Sequence, residues 1–487
     1  MRRWPLAALA AVLVCALAAG AFVFVRVAAP DGSGRRIGAA GGQPSAAPDG
    51  PPSPGADGVG DEYFPKLGNG GYDVGHYALR VRYDPSTDVL TGRATIDASA
   101  TQALSRFNLD FSGLKITTLR AGGADATWRL DGGRELVVTP AVPLRAGQEF
   151  RIEAEYEGKP DGEAFHHTTD GALVAGEPAS GGDWYPTNEH PTDKATYDFE
   201  ITVPDGLTAI ANGVSRGSDA ADPGWRTWRW AATTPMASYL STIAIGKFRI
   251  FEGTYDGKPV YSAVDERLPA GGVADQAMLR TADVTGFLAT RFGPYPFEAV
   301  GGIVTSERLS FALETQTRPI YAPAFFNRTV TDATSIVAHE IAHQWFGDSV
   351  SLNRWRDIWL NEGFATYAQW LWEEHDGGRS AQAAFDDTYG APATAEIWTP
   401  PPGDPGEKDL FADSVYVRGG LTVHALRMTI GDDAFFRLLP EWTSTHKSGT
   451  GTTADFVALA EKLSGKELDA FFQAWLFSSA KPAYPGR

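Results

Sequence analysis

Two histidines four residues apart, His339 and His343, frame Glu340 in the stretch HEIAHQWFGDSV. On a helix, positions i and i+4 lie one above the other, so both imidazoles close on a single ion while Glu340 projects beside them toward its open face. A hydrolytic site of this kind needs a third protein ligand and keeps a fourth position for water. After eighteen intervening residues the segment NEGFATYAQWLWEEH supplies Glu362. Phe364, Tyr367, Ala368 and Leu371 then recur at helical spacing, which puts Glu362 in the first turn of a second helix packed on the first. The set predicts one Zn(2+) per chain on His339, His343 and Glu362. Cys15, the single cysteine, sits in an apolar N-terminal run, so histidines and carboxylates must hold any metal. The other histidines fit the pattern less well. His166 and His167 are adjacent and point to opposite sides of a strand, and His424 reads as a packing residue.

The elements that must position these residues fall into two regions. A chain of 487 residues exceeds one hydrophobic core and predicts a multidomain protein. Residues 61–253 carry short alternating runs broken by Gly, Asp and Pro: HYALRVRYD, ATIDASA, FNLDFSG, ELVVTPA, FRIEAEYEG and YDFEITVP. Period two with turns about every ten residues predicts an all-β sandwich-like domain. Residues 254–487 change period, with helices predicted near 275–292, 331–346, 361–375, 415–430 and 453–477, an α+β and mostly helical domain. Asp332 and Ser335 ahead of the histidines, and Thr453 before ADFVALAEKL, supply start signals.

The formal charge is −18, and residues 1–36 hold five arginines against one aspartate, which leaves −22 for the remainder. So acidic a body excludes nucleic acid as the partner. Residues 5–25, PLAALAAVLVCALAAGAFVFV, follow Arg2 and Arg3 without a charge and at helical rise span about 30 Å, the depth of a bilayer core. Residues 1–29 therefore read as a membrane anchor with the body outside the cytoplasm, or as a signal peptide whose cleavage would release a secreted protein. Residues 30–60 are nearly all Gly, Pro, Ala, Ser and Asp and predict a flexible linker.

The run HEIAHQWFGDSVSLNRWRDIWLNEGFATY is similar to the signature of the gluzincin aminopeptidases, peptidase family M1, which includes aminopeptidase N and the leukotriene epoxide hydrolase. WYPTNEHPTDKATYDFEIT also resembles that family's segment linking β-domain strands near the active site. The resemblance implies a β domain followed by a thermolysin-like catalytic domain. It also implies an upstream glutamate that binds the substrate's free α-amino group from a G-x-M-E-N loop. In SFALETQTRPIY that position is Glu314, with Phe311 in place of the family's Gly and Thr315 in place of its Asn. An α-amine of pKa about 8 is charged at neutral pH, so a fixed carboxylate beside the metal would measure one residue from the N-terminus. Glu177, in VAGEPASGGDWYP, aligns with a second acidic contact to the amine, with Ala175 where the family usually has Gln. SVYVRGG resembles the family's Y-x-K-G segment, which makes Tyr416 the phenol expected to stabilise the oxyanion. Arg418 replaces its Lys, a change expected to matter little. Larger members continue with a long helical domain, whereas about seventy residues follow Tyr416 here, which predicts a more open cleft.

These residues predict an aminopeptidase acting on peptides with a free N-terminus. With zinc on His339, His343 and Glu362 supplying Lewis acidity, Glu340 would take a proton from the attacking water and hand it to the leaving amine, and Tyr416 would share the developing charge. A thermolysin-like endoprotease is the alternative, since it shares the triad without needing an amine anchor. A catalytically inert zincin-fold surface binding protein is disfavoured by the retained Glu340. Epoxide hydrolysis follows by family analogy alone.

Overall fold

The computed structural model describes residues 50–486. The apolar run at 5–25 and the linker up to residue 49 lie outside the described residues, and among those described no helix is long and apolar enough to cross a membrane. The end of the predicted linker is pinned. Ser53–Pro54 pairs in parallel with Leu104–Asp110, Ser53 N–H donates to the Ala103 carbonyl, and Gly55 N–H donates to the Arg106 carbonyl. A proline-rich segment is already extended, so it covers an open sheet edge with little further loss of entropy.

The β-rich half is built on an eight-stranded sheet in the order Val214–Ala220, Trp225–Ala237, Lys194–Pro204, Tyr72–Asp84, Val89–Ala100, Glu149–Gly158, Lys115–Ala121, Ala124–Asp125. The pairing of Lys194–Pro204 with Tyr72–Asp84 is parallel and its other pairings are antiparallel. Two four-stranded sheets accompany it. Alternation decides which face is covered: Leu79, Val81, Ile96, Ile152, Phe199 and Ile201 are all buried, while charged residues such as Arg80, Arg93 and Glu155 face outward.

A five-stranded sheet opens the second half, in the order Phe248–Tyr255, Lys258–Asp265, Val300–Val304, Ile320–Tyr321, Ala312–Leu313. A boundary between residues 253 and 254 would divide the hairpin of its first two strands, so we place the junction near residue 247. The strand FRIFEGTY follows the strands of the preceding half directly and is rich in the same β-forming residues, which is why composition alone does not mark the change.

The helical segments differ in detail from their predicted forms. The 275–292 segment is two helices, Val273–Leu279 and Thr281–Phe292, and the 453–477 segment breaks at Gly465, whose φ of 69° ends Thr453–Ser464 in the left-handed region. Ala381–Tyr389 and Asp432–Thr445 are further helices, the latter with Pro440 inside it. Start signals move as well. Thr329 caps Val330–His343 through a reciprocal box with Asp332, and Thr452 does the same with Asp455 for the helix that follows it.

The two halves are tied through buried polar groups. Lys194 of the β-rich half donates to the carbonyls of Asp348, Ser349 and Gly449 at 2.9, 2.9 and 3.0 Å. Asp61 accepts the Trp355 N–H at 2.8 Å as well as those of Tyr63 and Phe64. Burial works to raise the Asp61 carboxyl, but His190 and the three amides hold it at about 2.

Within the second half, Trp359–His375 lies between Val330–His343 and Asp413–Ile430. Its approach to Asp413–Ile430 needs glycine on both sides: a Cβ at Gly363 would lie 2.9 Å from the Gly419 carbonyl carbon, and one at Gly419 would lie 2.9 Å from the Gly363 Cα. At an exposed helix position Gly→Ala gains up to about 1 kcal/mol. Here Gly419→Ala is expected to destabilise by about 1–3 kcal/mol in denaturant unfolding, because the clash outweighs the propensity gain. A stabilised variant would show that the helices are not held apart by side-chain size at this point.

Candidate metal centre and active site

Each member of the predicted triad sits where its helix puts it. Ala333, Val337, Ala338, Ile341 and Ala342 bury one face of Val330–His343, and His339 and His343 share a neighbouring stripe with ring centroids 4.8 Å apart. Glu362 lies in the first turn of Trp359–His375. Its Oε2 is 3.3 Å from His339 Nε2 and 3.5 Å from His343 Nε2. Donors held at 2.0–2.1 Å around a tetrahedral ion lie about 3.3 Å from one another, so the separations of the Glu362 carboxylate from both imidazole nitrogens fit a shared zinc ion, and the three donor atoms all lie within 4.8 Å of one another.

The outer ring nitrogens are anchored too. His339 Nδ1 donates to Gln369 Oε1 at 3.0 Å, and His343 Nδ1 donates to the Phe346 carbonyl at 3.1 Å. Both bonds fix the tautomer that leaves the Nε2 lone pair facing inward. Neither partner follows from the spacing of the ligands alone. Gln369 was detectable, lying seven residues, two turns, after Glu362 on the same helix; a backbone carbonyl such as that of Phe346 carries no residue-type signal. Burial works to raise the Glu362 carboxyl, but the His343 and His339 imidazoles beside it hold it at about 2.

The remaining predicted residues gather around the same point. Donor atoms of Glu314, Glu340 and His343 form a second convergent group, all within 4.8 Å of one another. Glu314 is buried, its carboxyl within hydrogen-bonding reach of Glu177, and each of the two has an Oε1 without a partner among the described residues. Burial raises both carboxyls, and their mutual repulsion pushes Glu177 higher still. Glu340 is likewise lifted well above the carboxylate range, first by burial and then by Glu314 and Glu362. The Tyr416 ring stacks on His339 with centroids 6.1 Å apart, and burial with Glu362, Glu177, Glu314 and Glu340 nearby keeps its phenol protonated. Asp348, which the ligand spacing does not mark out, is a further buried carboxyl in this neighbourhood. Burial and Glu314 raise it, and both of its oxygens lack a hydrogen-bond partner among the described residues.

Arg418 corrects the expectation that its exchange for Lys matters little. It is fully buried and donates to the carbonyls of Trp398, Ala474, Trp475, Ser478 and Ala480, so one guanidinium fork secures the segment after Asp469–Phe472. An ammonium with three donors could not satisfy five carbonyls. His166 packs on Phe311, while His167 bonds the Pro160 carbonyl and the Tyr83 hydroxyl. His424 packs against Tyr367, Trp370 and Phe385, and burial pushes it down to about 4.

If Gln369 orients His339, Gln369→Ala is expected to weaken zinc retention about 10- to 100-fold in competition with a chromophoric chelator, with little change in unfolding temperature. Unchanged retention would detach Gln369 from the metal centre.

Residues 321–475 match the peptidase family M1 domain and residues 74–240 the peptidase M1 N-terminal domain. Aminopeptidase N of Streptomyces lividans is 27% identical over 316 residues, covering 59% of this chain and 36% of that protein. Mouse glutamyl aminopeptidase is 24% identical over 448 residues, covering 84% and 47%. The chain thus spans about half or less of the length of these curated relatives. The M1 zinc metallopeptidase of Deinococcus radiodurans is 30% identical, with a TM-score of 0.78 over 88% of this chain and 99% of that one. A mutant of it bound to a Tyr-Ser-Ala substrate gives a TM-score of 0.79. The metal of these matched structures is zinc, which the donor set here fits. With both domains matched in order and a relative covered end to end, the chain belongs to peptidase family M1.

Proposed function

We propose that the protein is a zinc-dependent aminopeptidase that hydrolyses the first peptide bond of peptides with a free N-terminus. The observation that carries this reading is the buried Glu314–Glu177 pair beside the triad, with one oxygen of each left without a partner among the described residues. Two desolvated carboxyls held together repel one another, and an ammonium group placed between them relieves that repulsion while gaining charge-assisted hydrogen bonds. An endoprotease would gain nothing from the pair. The names of relatives such as aminopeptidase N and glutamyl aminopeptidase, and the Tyr-Ser-Ala complex of the Deinococcus enzyme, support the same reading.

Zinc on His339, His343 and Glu362 would supply Lewis acidity toward water and the scissile carbonyl. The remaining steps fall to side chains of this chain. Glu314 and Glu177 hold the α-amine, and so set which carbonyl reaches the centre. Glu340 takes a proton from the attacking water and delivers it to the leaving amine. The Tyr416 hydroxyl donates to the carbonyl oxygen as negative charge builds there. Residues 5–25 support a membrane-anchored catalytic body outside the cytoplasm, or a secreted one if that segment is removed.

An aminoacyl fluorogenic amide and its N-acetylated twin separate the readings. Chelator-sensitive cleavage of the free-amine substrate alone is expected, and equal cleavage of both would move the assignment to an endoprotease. Glu340→Gln is expected to retain zinc and lose about 10²- to 10⁴-fold in kcat. Substantial turnover by that variant would remove Glu340 from the proton shuttle.

A further inference from the structure

Gln344 follows His343 directly at the end of Val330–His343, and its side chain is fully buried. Its Nε2 donates to the Glu314 carbonyl at 2.9 Å, and its Oε1 accepts the Thr317 N–H at 2.7 Å. One amide thus satisfies an acceptor and a donor of the loop at residues 314–318. The Tyr295 hydroxyl lies 3.4 Å from the same Oε1, while its shorter bond goes to the Ala299 carbonyl at 2.9 Å.

That loop does not hold its shape by local preference. Thr317 has φ +66°, a region β-branched residues avoid. The β-rich half grips it from one side: Gly213 N–H donates to Thr317 Oγ1 at 2.7 Å, Asn212 Nδ2 donates to the Gln316 carbonyl at 2.8 Å, and Gln316 Nε2 donates to the Thr234 carbonyl at 3.2 Å. Gln344 grips it from the other side, that of the metal helix. The Glu314 carboxyl is therefore connected to the metal ligand His343 by a short path: the Glu314 backbone, the Gln344 amide, and the peptide bond joining Gln344 to His343.

We propose that Gln344 is a specificity-determining positioning residue, which fixes the separation between the amine-binding carboxyl of Glu314 and the metal centre and so restricts cleavage to the first peptide bond. The inference rests on the aminopeptidase reading and adds to it a named distance-setting contact. Replacing the amide by an apolar side chain of similar length leaves the Glu314 carbonyl and the Thr317 N–H without their partner and frees the metal-facing side of the loop. The ligand set itself stays intact, so the effect falls on recognition of the amine.

Gln344→Met and Gln344→Glu, made in the full chain and loaded with zinc, would be compared with wild type on the aminoacyl amide and its N-acetylated twin. The Met variant is expected to bind zinc with wild-type stoichiometry and to raise KM for the free-amine substrate about tenfold or more, with kcat changed far less. Its preference for the free amine, as a ratio of kcat/KM values, is expected to fall about tenfold or more. The Glu variant keeps the acceptor for Thr317 but sets an oxygen against the Glu314 carbonyl, so its preference should fall to an intermediate value. Undiminished preference in the Met variant, or a loss confined to kcat, would overturn the proposal. Should the Met variant fail to fold, an undiminished preference in the Glu variant overturns it equally. Equal cleavage of both twins by wild type would instead overturn the aminopeptidase reading and this inference with it, so the two failures are distinguishable.

Discussion

Three lone pairs, two from imidazole and one from carboxylate, must face one point about 3.3 Å from one another in a place that excludes bulk water. Most of what is distinctive in the catalytic half serves that constraint. Helical spacing stacks the two histidines, and Gln369 and the Phe346 carbonyl lock their rings. The Gly363–Gly419 contact lets Asp413–Ile430 come close enough to lay Tyr416 against His339. Thr329 and Asp332 cap the helix that carries the histidines, so its first turn is secured well away from the site.

The same constraint creates a charge problem. Glu177, Glu314, Glu340, Asp348 and Glu362 crowd around His339 and His343, and burial works to raise every one of these carboxyls. Only Glu362, in contact with both imidazoles, is held low. Lys194 comes near Asp348, but its N–H bonds go to three backbone carbonyls. Such a pocket favours cations, and the two that the proposed reaction brings, a metal ion and a substrate ammonium, each have carboxyls waiting for them. The acidity of the whole chain is a poor guide to this property, which comes from a few buried residues.

Much of the site was legible in the sequence because helix geometry turns spacing into position. HExxH and the later glutamate need only a 3.6-residue period to be placed, and Tyr416, Glu314 and Glu177 followed from resemblance to whole motifs. Gln344 and Thr317 were not legible. Their importance depends on a loop and a helix end meeting across the fold, and Gln344 reads in sequence as one more polar residue after a histidine. Arg418 was misjudged for the same reason, since the five carbonyls it serves come from segments up to 62 residues away. Period-two text predicted the strands well. It does not mark the domain junction, where one half's strands are followed directly by the other's. Single-residue events, such as the break at Gly465, divided helices that periodicity alone would run together.

The central claim, that a buried carboxyl pair measures one residue from the metal, is tested most directly by following an unblocked decapeptide by mass spectrometry during digestion by the zinc-loaded protein. The account predicts a ladder of products, each shorter by one N-terminal residue and appearing in order, with an N-acetylated copy left intact. Internal fragments released from both peptides at comparable rates would contradict it.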